Sequence, residues 1–403
     1  MERFRFICSR CGKSEPFSYK AVCDCGGTLL VDYDLELVSQ TLFQNQLSLR
    51  SSTMWRYREL LPIQHQSSIV SLGEGWTPLL RMPTLEKELQ LPALWIKREE
   101  QNPTGSFKAR GFAAAVSIMN DFQLKKAAVP SNGNAASALS AYAARAGIEV
   151  VVIVPKDCPG IIVEECVRYG AKTFLTSGLI HDAGAILEQG KQRYGWVNVG
   201  TLKEPGRIEG KKTMGLELAE QLGWKLPDVI VYPTGGGSGI IGMWKAFNEL
   251  IALGWICGPM PRIVSVQESG CDPIVQSIHQ NDSRFIPAAN TSSSPTGMRV
   301  PHPPDGDLLL SILRQTNGTA VTVTAQEIAV SQKRLGRCGI SSSPEGAAAL
   351  AGCIRLRDNG WIRDTDRVVV FNTSHADKYI HWAAPPEVPI VQDYHDFIAA
   401  YDG

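Results

Sequence analysis

From about residue 93 onward, short apolar runs alternate regularly with longer segments of helical periodicity. Runs rich in Val, Ile and Leu are typical of buried strands, and apolar residues that recur every three or four positions indicate helices. This alternation predicts an α/β chain with parallel sheets covered by helices on both faces. The predicted strands cover residues 94–97, 127–130, 149–154, 172–175, 196–199, 229–232, 263–266, 320–323 and 368–371. The clearest predicted helices cover 135–146, 239–253, 326–335 and 345–357.

Two other stretches do not follow the alternation. Residues 36–70 are mixed in character, and we interpret them as a helical connector. Residues 280–304 are dominated by Ser, Asn, Pro and Gly and predict a long loop. Loops of this length in compact enzymes are often functional, although a plain surface loop can have the same composition.

Composition and charge narrow the class of protein. The 403 residues predict two or three domains, and 44% hydrophobic with 20% charged residues is ordinary globular usage. Lys and Arg together number 40, as do Asp and Glu, so the chain lacks the basic surplus of a nucleic-acid binder. No run of apolar residues has the length of a membrane span, and the N-terminus lacks the apolar core of a signal peptide. We therefore expect a cytoplasmic protein without nucleic-acid or membrane partners.

The N-terminus carries four of the ten cysteines in two tight clusters. Cys8 and Cys11 are separated by two residues, Cys23 and Cys25 by one, and glycine follows each pair. Such turns suit a zinc ribbon in which four thiolates surround one ion, although the second spacing is shorter than usual. A ribbon without metal remains the alternative. The other six cysteines are scattered and predict small buried apolar groups in a reducing compartment.

A lysine follows an irregular turn at the start of a predicted helix. Pro103 and Gly105 shape the turn, and Lys108 comes at or near the first helical position. The positive end of the helix dipole disfavours an ammonium and lowers the pKa of such a lysine. A free amine is what a Schiff base with an aldehyde requires. In isolation, the same pattern also fits a solvated lysine.

A glycine-rich loop lies between a predicted strand and a long apolar helix. It reads Thr-Gly-Gly-Gly-Ser-Gly over 234–239. Converging backbone N–H groups and the helix dipole form an anion cup that suits a phosphate. No acidic residue occupies the place that a dinucleotide fingerprint requires.

Two further strand ends carry short polar side chains. The run 131–137, Ser-Asn-Gly-Asn-Ala-Ala-Ser, could hold a carboxylate with its amides, although an ordinary helix N-cap turn looks the same. Thr373 follows the last predicted strand, where open parallel sheets bind ligands. A strand-end threonine without a ligand is the alternative for that position.

Together these segments resemble the threonine synthase family, pyridoxal 5'-phosphate (PLP) enzymes of the tryptophan synthase β-like fold. The resemblance runs over nearly the whole chain. Its motifs are LGEGWTPL at 72–79, NPTGSFKARG at 102–111, SNGNAAS at 131–137, RIEGKKT at 207–213, PTGGGSG at 233–239 and NTSHADK at 372–378. The implied organisation is a cysteine module at 1–35, a connector and start of the large domain at 36–106, a small mobile domain at 107–205, the large PLP domain at 206–385 and a tail at 386–403.

The resemblance also implies roles for individual residues. Lys108 would bind PLP as a Schiff base and move protons as general acid and base. Asn134 would face the ring hydroxyl of the cofactor, and Thr373 its pyridine nitrogen. The cofactor phosphate would lie on the amides of Gly235, Gly236, Gly237, Ser238 and Gly239. Ser131 and Asn132 would bind the substrate carboxylate, and Arg207 and Lys211 the substrate phosphate.

The implied reaction converts O-phosphohomoserine and water to threonine and phosphate, in a homodimer. Two residues depart from the family pattern and leave the substrate open. Ala109 replaces an aspartate, and Ala135 replaces a threonine whose hydroxyl would contact substrate phosphate. The alternatives are cysteate synthase or a serine/threonine dehydratase within the same fold, and a ligand-binding relative without turnover.

Overall fold

The computed structural model describes residues 3–280, 284–288, 291–292 and 295–379. The strands are β1 (Phe4–Cys8), β2 (Ser14–Pro16), β3 (Leu29–Tyr33), β4 (Leu79–Arg81), β5 (Ala93–Arg98), β6 (Lys126–Pro130), β7 (Glu149–Pro155), β8 (Lys172–Thr176), β9 (Val197–Asn198), β10 (Val229–Pro233), β11 (Arg262–Glu268), β12 (Thr319–Val323) and β13 (Arg367–Asn372). The α-helices are α1 (Leu35–Ser39), α2 (Pro83–Leu89), α3 (Lys108–Asp121), α4 (Asn134–Ala146), α5 (Gly160–Arg168), α6 (Ile180–Tyr194), α7 (Gly206–Gln221), α8 (Ser238–Ala252), α9 (Pro273–His279), α10 (Gly306–Gln315), α11 (Ala325–Arg337) and α12 (Pro344–Asp358).

Two sheets are built from the predicted strands. One has four parallel strands in the order β8–β7–β6–β9, and the other has six in the order β12–β11–β10–β13–β5–β4. Every residue of β10 is buried because helices cover both faces of its sheet. The prediction of parallel sheets is confirmed, with the correction that edge strand β4 runs antiparallel to β5. The strand predicted at 196–199 is shorter than expected, since only Val197–Asn198 pairs with β6.

The cysteine module forms a sheet of its own. Strands β2, β1 and β3 pair antiparallel in that order. Burial alternates along β1, so that Phe4, Phe6 and Cys8 face inward. These side chains join the same apolar cluster as residues of α7 and α8. The module is therefore packed onto the body of the protein.

The connector at 36–70 is less regular than predicted. After the short helix α1 it contains three 3₁₀ segments, Gln44–Leu49, Met54–Leu60 and Gln66–Ser68. Met54, Tyr57 and Leu60 are buried. Tertiary packing of these side chains, and not an uninterrupted apolar stripe, sets the local backbone.

Helix α7 lies between α3 and α8 and is buried almost throughout. Gly210 permits the close crossing, because a Cβ there would lie 2.0 Å from the carbonyl oxygen of Arg110. The close packing places the first turns of the three helices near each other. Lys108, Arg207 and Ser238 occupy those turns.

The predicted loop at 280–304 is irregular wherever it is described, and its segment 295–300 reaches the ligand cavity. The predicted tail at 386–403 lies outside the described residues. No helix in the described part of the chain is long and apolar enough to cross a bilayer. The domain boundaries inferred from the sequence stay predictions.

Candidate active site

One cavity gathers nearly all the residues singled out in the sequence. Four strand ends meet there: β5 leads to the Lys108 turn, β6 to Ser131, β10 to the glycine loop and β13 to Thr373. The carboxyl ends of β5, β10 and β13 share one edge of the six-stranded sheet, and β6 of the four-stranded sheet ends at the same cavity. The predicted site residues that line the cavity are Lys108, Ser131, Asn132, Asn134, Arg207, Gly235, Gly236, Gly237, Ser238, Gly239 and Thr373.

Lys108 is the first residue of α3, as predicted. Its side chain lines the cavity and is half-buried. Burial, reinforced by the nearby Arg207 guanidinium, lowers the pKa of Lys108 to about 7, although Glu345 opposes the shift. The amine lies 3.9 Å from the centroid of the Phe107 ring. Near neutral pH, a large fraction of this lysine is therefore the free base that attacks an aldehyde.

We expect covalent attachment of an aldehyde cofactor at Lys108 to follow this pKa. The rate should rise tenfold per pH unit below about 7 and level off above it, because the neutral amine is the nucleophile. An unperturbed lysine would keep accelerating to about pH 10. Stopped-flow absorbance on apoprotein mixed with PLP measures the profile. A rate that still climbs steeply between pH 8 and 10 would contradict the shifted pKa.

The glycine loop forms a cradle at the start of α8. In the described part of the chain, the backbone N–H groups of 235–239 donate to no protein acceptor. Gly237 has φ +74°, and a Cβ there would lie 2.3 Å from Leu309 Cδ1. Free amides at the N-terminus of a 15-residue helix suit a phosphate dianion.

Asn134 and Thr373 supply neutral polar groups to the same cavity. Asn134 donates through Nδ2 to the Tyr379 hydroxyl (3.0 Å), and its buried Oδ1 has no partner among the described residues. Buried polar atoms normally have partners, so Oδ1 is available to a ligand. Thr373 is buried at the end of β13, and its carbonyl accepts from the Phe107 amide (3.0 Å).

Arg207 places a second cation in the cavity. Its guanidinium donates to the Val199 carbonyl (3.0 Å) and lies 4.6 Å from the Phe112 ring centroid. Burial lowers the pKa of Arg207 to about 10, and Glu204 opposes the shift, so the group stays protonated at neutral pH. Glu204 also caps α7 by accepting from the amides of Gly206 (2.6 Å) and Arg207 (2.7 Å).

Lys211 lies elsewhere than the sequence suggested. It is not among the described residues that line the cavity, and its Nζ donates to Ser238 Oγ (2.6 Å) behind the glycine loop. Burial, with Arg207 and Lys108 nearby, lowers its pKa well below the ordinary value. The structure thus connects Lys211 to the glycine cradle.

Three parts of the cavity wall were not predicted from the sequence. Glu345, in the first turn of α12, is buried, accepts from the Gly297 amide (3.0 Å), and has no partner for Oε2 among the described residues. Tyr379 lies beside it, and burial together with the Glu345 charge raises the pKa of its phenol. Residues 296–298 form a third part of the wall. A glutamate in a first helical turn is ordinary, so the sequence carried no signal for Glu345.

The cysteine module brings its four cysteines together, away from the cavity. The Sγ atoms of Cys8, Cys11, Cys23 and Cys25 all lie within 4.8 Å of one another. Burial raises the pKa of Cys8, but amide N–H groups of Cys11 and Arg10 outweigh it and lower the value to about 7. Four sulfurs at these separations are compatible with one tetrahedral ion.

Comparison with known proteins decides the family. The sequence profile of the family described as "Pyridoxal-phosphate dependent enzyme" matches residues 70–374, well over half of the chain. The chain belongs to this family. The threonine synthase of Methanocaldococcus jannaschii is 34% identical over 377 residues, covering 92% of each chain. That of Methanosarcina acetivorans is 34% identical over 353 residues, 87% of this chain and 86% of the relative.

Solved structures show the same fold for this PLP-dependent enzyme. Maize serine racemase superposes with a TM-score of 0.65 at 22% identity, over 76% of this chain and 90% of that one. Tomato (Solanum lycopersicum) threonine deaminase isoform 2 superposes with a TM-score of 0.63 at 20% identity, over 81% of this chain and 82% of that one. The predictions of a PLP-dependent lyase with the tryptophan synthase β-like fold, and of resemblance to threonine synthases, are confirmed.

The residues present fit PLP. An amine with lowered pKa, a cradle of free amides too tight for a Cβ at Gly237, and the unpartnered Asn134 Oδ1 match its aldehyde, phosphate and ring hydroxyl in kind. PLP held there supplies an electron sink for carbanions formed at the substrate. The individual roles of the site residues belong to the proposal that follows.

Proposed function

We propose that this PLP-dependent lyase is a threonine synthase that converts O-phosphohomoserine and water to threonine and phosphate. The observation that carries the proposal is a cavity whose lining includes two separate anion-binding features, the glycine cradle and the buried Arg207 guanidinium, together with the Lys108 amine. One anion site serves the cofactor, which leaves Arg207 for a phosphate on the substrate. Both of these relatives are named threonine synthase, which supports threonine as the product.

Lys108 is the proposed proton carrier. It lies at the cavity wall with a pKa near neutrality, where an amine can both take and return protons efficiently. We assign the amides of 235–239 to the cofactor phosphate, Asn134 to its ring hydroxyl and Thr373 to its ring nitrogen. A hydroxyl at that nitrogen, in place of a carboxylate, does not stabilise ring protonation, which suits elimination and replacement at the β carbon.

The loop after β6 is the proposed substrate carboxylate site. Ser131 Oγ accepts from the Gly133 amide (3.0 Å) and so holds the loop that opens α4. Asn132 lies beside it, and its Nδ2 approaches the carbonyls of Thr296 and Arg299, each 3.5 Å away. This amide can therefore connect the carboxylate site to the opposite wall.

Ala135 favours a second candidate within the same chemistry. It lines the cavity beside Asn134 and offers a methyl group where a threonine hydroxyl would contact substrate phosphate. A different amino-acid substrate, as in cysteate synthase or a serine/threonine dehydratase, therefore remains the alternative. Ala109 is buried and carries no charge to the cavity.

Product analysis separates these functions. Purified holoenzyme is incubated with O-phosphohomoserine, and phosphate and threonine are measured together with keto acids. Equal amounts of phosphate and threonine would support the proposal. Keto acid from serine or threonine without threonine synthesis would favour the dehydratase, and phosphoserine with sulfite tests the cysteate synthase.

We further propose that the protein is a cytoplasmic homodimer. Sedimentation of the purified protein tests the proposed dimer.

Arg207→Gln should raise KM for O-phosphohomoserine by about 10- to 150-fold, because a charged hydrogen bond contributes about 1.5–3 kcal/mol. The covalent PLP absorbance should persist, since the glycine cradle is intact. Arg168→Gln on the surface of α5 is the matched control and should leave KM unchanged. An unaltered KM in the Arg207 variant would remove this residue from the substrate site.

A further inference from the structure

The cysteine cluster is built to hold an ion. Cys8 and Cys23 are buried while Cys11 and Cys25 reach the surface. A Cβ on Gly27 would lie 2.7 Å from Cys8 Sγ, so only glycine allows the second turn to close on the sulfurs. The Arg10 amide donates to Cys8 Sγ (3.4 Å), and its guanidinium donates to the Cys25 carbonyl (3.2 Å). A cation beside the cluster stabilises the dianion that Zn²⁺ forms with four thiolates.

A first path joins this cluster to the phosphate cradle through Asp305. Its Oδ2 accepts from Thr28 Oγ1 (2.7 Å), Ser9 Oγ (3.1 Å) and the Thr28 amide (3.4 Å), and these two residues adjoin the two cysteine turns. Its Oδ1 accepts from the Leu308 amide (3.1 Å) and caps α10. The next residue, Leu309, packs directly on Gly237 of the cradle. The position of α10 thus depends on both cysteine turns.

A second path reaches α7. The Tyr33 hydroxyl, at the end of β3, donates to Glu209 Oε2 (2.8 Å). Lys212 pairs with Glu209 (2.8 Å) and lies 3.9 Å from the Tyr33 ring centroid. The same helix carries Lys211, which supports Ser238 of the cradle. The module therefore contacts both helices that back the cofactor's anion site.

We propose that Cys8, Cys11, Cys23 and Cys25 bind one Zn²⁺ and that this metal fixes the phosphate cradle of the PLP site from outside. Binding forms four Zn–S bonds and releases the protons that the four thiols still carry, without any change of oxidation state. An ordered module holds Asp305 and Tyr33 in place. Loss of the ion frees the two turns and lets α10 withdraw from Gly237.

The test measures metal and PLP separately. Purified protein should contain one zinc per chain by elemental analysis, and Co²⁺ replacement should give the absorption bands of a tetrahedral tetrathiolate. After removal of zinc by a chelator, the Kd for PLP, followed by absorbance, should rise about tenfold or more and return on adding Zn²⁺. The Cys257→Ser protein, altered at an exposed cysteine outside the cluster, should behave as wild type.

The Asp305→Asn variant tests the connection between the cysteine module and the PLP site separately from metal binding. Asparagine keeps the oxygen that caps α10 but loses the one that accepts from Ser9 and Thr28, so zinc should stay at one per chain while the Kd for PLP rises about tenfold. Circular dichroism verifies that each variant is folded. Protein that binds no zinc, or zinc-free protein with an unchanged Kd for PLP, overturns the proposal. These readouts need no substrate and stand apart from the assignment of threonine synthase activity.

Discussion

Lys108→Ala should lose the covalent PLP linkage and slow turnover by at least about 10³-fold. The variant removes both the amine that attaches the cofactor and the group proposed to move protons, and positioned general acids and bases contribute about 10²–10⁴-fold each. The cavity retains its amide cradle, so PLP should still bind noncovalently. The variant should therefore have a reduced kcat but should still fold.

Absorbance and mass spectrometry measure this result. Wild-type protein treated with borohydride should carry PLP on the peptide that contains Lys108, and the variant should carry none. Lys172→Ala, which breaks only a surface pair with Glu149, is the control and should keep full activity. A covalent adduct on another lysine with turnover intact would show that Lys108 is not the essential amine.

Glu217→Ala should cost about 3–5 kcal/mol of unfolding free energy, the largest single effect on stability that we expect. Arg110 Nη1 donates to Glu217 Oε2 (2.8 Å), and Lys97 also pairs with this carboxylate. All three side chains are fully buried. Without Glu217, Arg110 still pairs with Glu99, but Lys97 loses the carboxylate with which it pairs, and an unpaired charge in a protein interior is strongly destabilising.

Urea unfolding of apoprotein measures the change. Burial opposes ionisation of Glu217, but Arg110 and Lys97 lower its pKa to about 2 from 4.5. The contribution of Glu217 to the free energy of unfolding is thus present above pH 4.5 and is lost as pH falls toward 2. The Glu217→Ala variant should not show this loss. Glu164→Ala removes a surface pair and should cost at most about 1 kcal/mol. A similarly small loss for Glu217→Ala would mean that water or repacking satisfies the cations.

The predicted elements were accurate where short-range patterns control the backbone. Pro103 and Gly105 break the chain before α3, so the first helical position fell on Lys108 as expected. Buried strands such as β10 and β13 carry continuous apolar runs, and they were predicted within one or two residues. The connector at 36–70 lacked such a pattern, and its 3₁₀ segments were not foreseen.

The sequence could not predict where two side chains of helix α7 would lie. Arg207 and Lys211 are four residues apart on α7 and share a helix face, and the family resemblance implied the same contact, the substrate phosphate, for both. In the structure Arg207 enters the cavity, and Lys211 reaches Ser238 behind the cradle. The close crossing of α7 with α3 and α8 determines which of the two side chains reaches the cavity.

By itself the sequence determined the α/β class, the start of α3 at Lys108, the glycine loop and the clustering of four cysteines, because each depends on residues close together along the chain. Only the tertiary structure decided that Glu345 and residues 296–298 line the cavity, and that Asp305 and Tyr33 connect the cysteine module to α10 and α7. These contacts join residues more than 45 positions apart. Packing of whole elements, which no local pattern encodes, brings them together.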